Sequence, residues 1–204
     1  MIKKLILLLL LSFSCALVAQ EKGLNIENHP KTLFDEGKIA LKNNDLDHAF
    51  VLFSLAQDSN YDDEINDKSL KKTDSLKILL RTKLTNQIIG NWKMLHNESW
   101  AMREPSDSVV GKMITIESNQ ILFYELYPKA KKWNLIKTEN LLFSEKPNMS
   151  FDPILIVFSN KDVWKYYIDE ISGNLIAYYI GQEYETGISE MVCGNQKLQY
   201  FKLQ

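Results

Sequence analysis

His29, His48 and His96 are the first residues to test for chemistry, because imidazole is both a metal ligand and a base near neutral pH. None has a second ligand at metal spacing, so no zinc site is expected. Asp58-Ser59-Asn60-Tyr61-Asp62 imitates the opening of a calcium-binding loop. Its sixth position is Asp63, where glycine should turn the chain, and its twelfth is Ser69, where glutamate should close the coordination. A helix-capping loop explains the run better. Ser69 and Lys72 have the spacing of a lysine-activated serine, but every partner motif of such an enzyme is missing. Cys193 has no neighbouring histidine and adjoins the Gly194-Asn195 turn, which suits a small strand residue better than a nucleophile. No catalytic residue, metal or cofactor is expected, and the chain reads as non-enzymatic. Carboxylates brought together by folding are the route left open to an enzyme.

The remaining candidates are aromatic. Tyr124, Trp133, Trp164, Tyr166, Tyr178 and Tyr200 fall on the apolar parity of short alternating runs in the second half of the chain. Such rings can line a pocket for a small apolar or aromatic ligand, or they can fill a core. The tyrosines also bring hydroxyls, each costing about 1–3 kcal/mol if buried without a partner. A pocket meeting those hydroxyls near an open mouth is the expectation, with a packed core as its alternative.

The first residues address export. Lys3 and Lys4, the apolar run Leu5 to Leu11 and the ending Leu17-Val18-Ala19 have the order of a removable signal peptide, residues 1–19, with Gln20 as the mature start. The apolar run is shorter than the roughly 20 residues a spanning helix needs. Cys15 would be the lipid-carrying residue of a lipoprotein, but Ser12 and Phe13 fit that motif poorly. The expected location is therefore periplasmic or extracellular, with membrane attachment only if Cys15 is lipidated. Loss of Lys3 and Lys4 from 24 basic residues leaves 22 against 26 acidic ones, a net charge of −4. That balance argues against a nucleic-acid footprint. Cys193 is then the one remaining cysteine, so an apolar core must supply the stability.

Two unlike halves must position these residues. Residues 20–30 read as a flexible N-terminus. Residues 31–87 carry helical periodicity: Leu33, Gly37, Ala40 and Leu41 on a first helix after Pro30, and Ala49, Leu52, Phe53 and Ala56 on a second capped by Asp45. Leu76, Leu80 and Leu84, with Leu79 beside them, mark a third. Gly37, Ala49, Phe53 and Ala56 stand at the relative spacings of a tetratricopeptide repeat, which residues 33–61 resemble. Leu33, Glu36, Ala40 and Tyr61 depart from that pattern. The resemblance implies two antiparallel helices in close approach around Phe53. One repeat leaves an apolar face uncovered, so the helices are expected to dock on the second half or on a partner protein.

Residues 88–204 read as eight or more short strands joined by tight turns, an antiparallel meander closed into a barrel. Gly90-x-Trp92 at its start resembles the opening of lipocalin-like barrels. That resemblance implies a chain turn at Gly90 and a closing plug at Trp92. Lipocalins pack an arginine from the last strand over this tryptophan; here Lys202 is the nearest substitute. Parity assigns inward faces to Trp92 and Met94; Ile114 and Ile116; Leu122, Tyr124 and Leu126; Trp133 and Leu135; Trp164, Tyr166 and Ile168; Ile176, Tyr178 and Ile180; and Leu198 and Tyr200. The fold class expected is thus α+β, a helical hairpin plus a helix and then a lipocalin-like antiparallel barrel of about eight strands. The leading function is an envelope protein whose barrel binds a small apolar or aromatic ligand. The alternative is an assembly factor that docks an envelope partner through helices 31–87.

Overall fold

The computed structural model describes residues 30–58, 63–98, 109 and 111–203. The expectations for residues 1–19, Cys15, His29 and Tyr61 lie outside them. Among the described residues three helices precede nine strands, an α+β arrangement. Helix α1 (Pro30–Lys42) begins on a proline, whose fixed φ suits a first turn. It ends in a Schellman motif: Asn44 takes φ 61°, its N–H bonds the Leu41 carbonyl, and the Asp45 N–H bonds the Ala40 carbonyl. Asp45 then caps helix α2 (Leu46–Asp58), its carboxylate accepting from the His48 N–H at 3.2 Å. Three residues thus end one helix and start its antiparallel neighbour.

Phe53 is fully buried between these helices with Ala49 and Ala56. Gly37 lies directly against it; a Cβ there would come within 2.8 Å of the Phe53 ring. Helix α3 (Asp63–Ile88) serves two cores. Leu76 and Leu80 pack with the hairpin, whereas Leu84 and Ile88 pack beneath the sheet, and Ile154 touches both clusters. Leu79, beside that stripe, is 48% exposed, because the helix turns its 76–80–84 line inward and leaves Ile78 and Leu79 outside.

The strands are β1 (Gly90–Glu98), β2 (Gly111–Ile116), β3 (Gln120–Leu126), β4 (Asn134–Asn140), β5 (Ile156–Val157), β6 (Asp162–Ile168), β7 (Leu175–Glu183), β8 (Ile188–Glu190) and β9 (Lys197–Lys202). All pairings are antiparallel, in the order β4-β3-β2-β1-β9-β7-β6-β5, with β8 added to β7. No ladder joins β4 to β5, so the sheet is open rather than a closed ring. The segment following β4 nevertheless reaches the far edge. Phe143 bridges Ile156, the Val157 N–H bonds the Leu142 carbonyl, and the Ser144 N–H bonds the Leu155 carbonyl.

Parity holds for β1, β2, β6 and β9 and fails for β3, β4 and β7. The main core takes Ile121 and Phe123 from β3, and Leu175, Ala177 and Tyr179 from β7, in place of Leu122, Tyr124, Leu126 and Tyr178; Ile176 is also buried, and Ile180 packs with Leu155, Val163 and Ile188 instead. Both strands are apolar on both faces, so alternation carries little information. Glu125 misled further. It occupies the core-side parity opposite Lys112 and pairs with it at 3.7 Å. On β4 the register slips between Phe123 and Tyr124 of its neighbour, leaving Ile136 unmatched. Such a bulge flips side chains to the other face. Leu135 is consequently 53% exposed, while Glu139 is buried.

Candidate functional site

At the start of β1, Gly90 and Trp92 meet Lys202 of β9. Gly90 takes φ +140°, open to glycine at no steric cost, and the Lys202 stem lies where its Cβ would project. Trp92 is buried, its Nε1 donating to the Ile88 carbonyl at 2.7 Å. Lys202 faces it across the β1–β9 ladder and sets Nζ 5.3 Å from the ring centroid, a cation–π contact. The lysine thus stands over the tryptophan.

Of the six aromatic candidates, Trp164, Tyr166 and Tyr200 meet in this core. Trp164 stacks on Phe158 at 6.1 Å and meets Tyr179 edge-on at 5.2 Å, yet its buried Nε1 has no hydrogen-bond partner. Burial raises the pKa of Tyr166 and of Tyr200, and for Tyr166 the neighbouring Tyr200 and Glu139 add to the effect. The structure does not bring Tyr124, Trp133 or Tyr178 to them. Tyr124 pairs with Met113 on the opposite face of the sheet, and Trp133 precedes β4 and lies against Gly111. Tyr178 faces outward into a groove.

Glu139 is a core acid that strand parity missed. Its carboxylate accepts from the Ser159 N–H at 2.8 Å and the Ser159 hydroxyl at 2.9 Å, and pairs with Lys137 at 2.6 Å. Burial works to raise its pKa, but Lys137 and the Ser159 bonds outweigh that and hold it below the ordinary carboxylate value. The Lys137 ammonium also lies over the Phe123 and Phe158 rings. One carboxylate therefore ties β4 to the turn between β5 and β6, across the gap where the ladder stops. Its hydrogen bonds and ion pair all run to neighbouring elements of the same sheet.

A second cluster ties the helices to the same seam. Arg81 of α3 donates from Nε to the Pro153 carbonyl and from Nη2 to the Ser144 carbonyl, both at 2.8 Å. Its Nη1 pairs with Glu145, which Lys77 also reaches at 3.2 Å, and its guanidinium lies 5.1 Å from the Phe143 ring centroid. Arg81 and Lys77 lower the Glu145 pKa. No run of residues signals this clamp, because it joins positions more than sixty apart.

A cleft of about 950 Å³ lies outside the sheet core, between α3 and the β6–β7 hairpin. Leu80, Leu84, Ile154, Ile168, Tyr167 and Tyr178 give it an apolar and aromatic floor. Its charged rim holds Asp47, Asp169 and Glu170 against Lys83 and Lys165, and Lys165 is already paired with Asp152 at 2.6 Å. Ser172 hydrogen bonds, through hydroxyl and N–H, hold the Asp169 pKa low. Among the described residues no group of His, Cys, Asp and Glu is arranged to hold a metal ion, and no helix is long and apolar enough to cross a membrane.

Comparison with models of known families, with curated proteins and with solved structures finds no match to this chain.

Proposed function

We propose that this is an exported, non-enzymatic interaction protein that binds a partner segment in the groove between α3 and the β6–β7 hairpin. The observation that carries the reading is where space lies. Trp92, Trp164, Tyr166 and Tyr200 occupy the sheet core with their neighbours, whereas a cleft of about 950 Å³ lies open, apolar-floored and outside it. Three carboxylates face two lysines on its rim, one of them already neutralised. An apolar segment carrying basic side chains complements that surface. The Lys3-Lys4 start, the apolar run and the Val18-Ala19 ending support export to the periplasm or beyond. In this reading the helices are a tetratricopeptide-like hairpin that supplies one wall of the groove, and the sheet is a lipocalin-like module. Gly90, Trp92 and the overlying Lys202 support the lipocalin-like part.

The test is anisotropy of labelled amphipathic peptides, apolar on one face with lysine or glutamate on the other. The lysine series should bind and Ile168→Glu should abolish that binding. Indifference to peptide charge, or a small molecule retained in the sheet core in native mass spectrometry, would return the function to the ligand-binding alternative.

A further inference from the structure

We propose that the free edge of β4 is a strand-addition site for an acidic, alternately apolar segment of a partner protein. β4 pairs with β3 along one side, and no described strand lies beside residues 134–138 on the other. The chain meets β5 only further on, from Leu142 to Ser144. An unpaired edge is a row of backbone donors and acceptors, which native sheets usually cover, shorten or charge. Here the edge carries Lys137 and a bulge, yet it also exposes Leu135 at 53% and Ile136 at 52%, adjacent apolar side chains at that bulge. An extended segment laid along it would gain main-chain hydrogen bonds and cover both side chains.

The surrounding charge selects the segment. Lys129, Lys131 and Lys132 are all exposed in the turn that leads into β4. The two acids at nearby ladder positions are already engaged: Glu139 with Lys137 and Ser159, and Glu125 with Lys112 and the Tyr127 hydroxyl. Among the described residues the acids at those positions are engaged elsewhere, and an acidic strand complements the positive charge of the turn. This surface is opposite in charge to the groove beside α3, and its occupation does not depend on that groove.

The experiment is anisotropy of a labelled octapeptide of alternating valine and glutamate with the full chain. Saturable binding is expected, weakened about tenfold or more by Lys131→Glu with Lys132→Glu, as salt-dependent charge attraction requires. Leu135→Lys should weaken it similarly; all three positions are exposed, and circular dichroism checks that the variants fold. The same peptide N-methylated at alternate amides should not bind, and amide exchange across residues 134–138 should slow only with the unmethylated form. Equal binding of the methylated peptide overturns the proposal, as does binding of neither. A dimer abolished by Leu135→Lys would assign the edge to a second copy and overturn it too. Lysine-dependent binding to phosphatidylglycerol vesicles without peptide binding would do the same.

Discussion

Trp92 and Trp164 belong to one core but are held in different ways. Trp92 lies where strand pairing is continuous, with β1 bonded to β2 on one side and β9 on the other. Its indole N–H has a carbonyl partner and its ring has Lys202 above it. Trp164 lies near the sheet's other end, on the strand next to the two-residue β5, and its indole N–H has none. Near Trp164, charged side chains do what the ladder does near Trp92: Lys137, Glu139 and Arg81 join parts that backbone pairing leaves apart. Where pairing is complete, packing, one indole hydrogen bond and a lysine over the ring suffice. Where it stops, Glu139 and the Arg81 clamp supply the ties, and the region is expected to be sensitive to pH and to single substitutions.

The contrast can be broken most forcefully at Trp92. Trp92→Ala should cost about 3–5 kcal/mol, a large share of a domain's stability. Denaturant melts measure it, and an unchanged midpoint would remove the plug from the account of that end. Next in size is the clamp. Arg81→Met should cost about 1.5–3 kcal/mol, the usual worth of hydrogen bonds to a charged group. Faster amide exchange at Ser144 and Val157 than at Trp92 would place the damage at the seam, whereas uniform acceleration would deny that the seam is a separate weak point.

Acid offers a milder probe of the same side. Glu139 and Glu145 both have pKa values held below the ordinary carboxylate value, by Lys137 and Ser159 against the opposing effect of burial, and by Arg81 and Lys77. A carboxyl depressed on folding contributes stability above its unfolded pKa and loses it as pH falls through the folded one. Stability should therefore drop on acidification from just below the unfolded value downward, and Glu139→Gln should flatten that decline. An acid limb unchanged by Glu139→Gln would show that the buried pair adds nothing to the seam. The smallest effect is expected at the unpartnered indole. Trp164→Phe removes an unbonded donor and some ring area, so melts should stay within about 1 kcal/mol of the parent. A loss as large as at Trp92 would erase the distinction between the two sites.

Much of the helical half was legible because its signals are local. Asn43-Asn44-Asp45 serve as stop and cap, and Gly37, Ala49, Phe53 and Ala56 meet within one hairpin. Near the start of β1, Trp92 is buried as its apolar parity led one to expect, with Lys202 of the last strand opposite it. Half of the aromatic candidates were misplaced. Tyr178 stands beside Tyr179 in a strand apolar on both faces, and Ala177, small enough to sit opposite Tyr166, decides which of them turns inward. Trp133 and Leu135 were misread because the bulge at Ile136 reverses parity within one strand.

The sequence by itself determined the switch from helical to strand periodicity near residue 88 and the order of helices before antiparallel strands. Each rests on neighbours along the chain, where side-chain spacing and turn chemistry act directly. Tertiary structure alone decided which face of β3, β4 and β7 is buried, that Glu139 enters the core, and that Arg81 holds the 144–153 segment. Those outcomes depend on what each strand finds opposite it. A buried carboxylate becomes tolerable once Lys137 and Ser159 arrive from the fold, and no pattern of adjacent residues encodes that arrival.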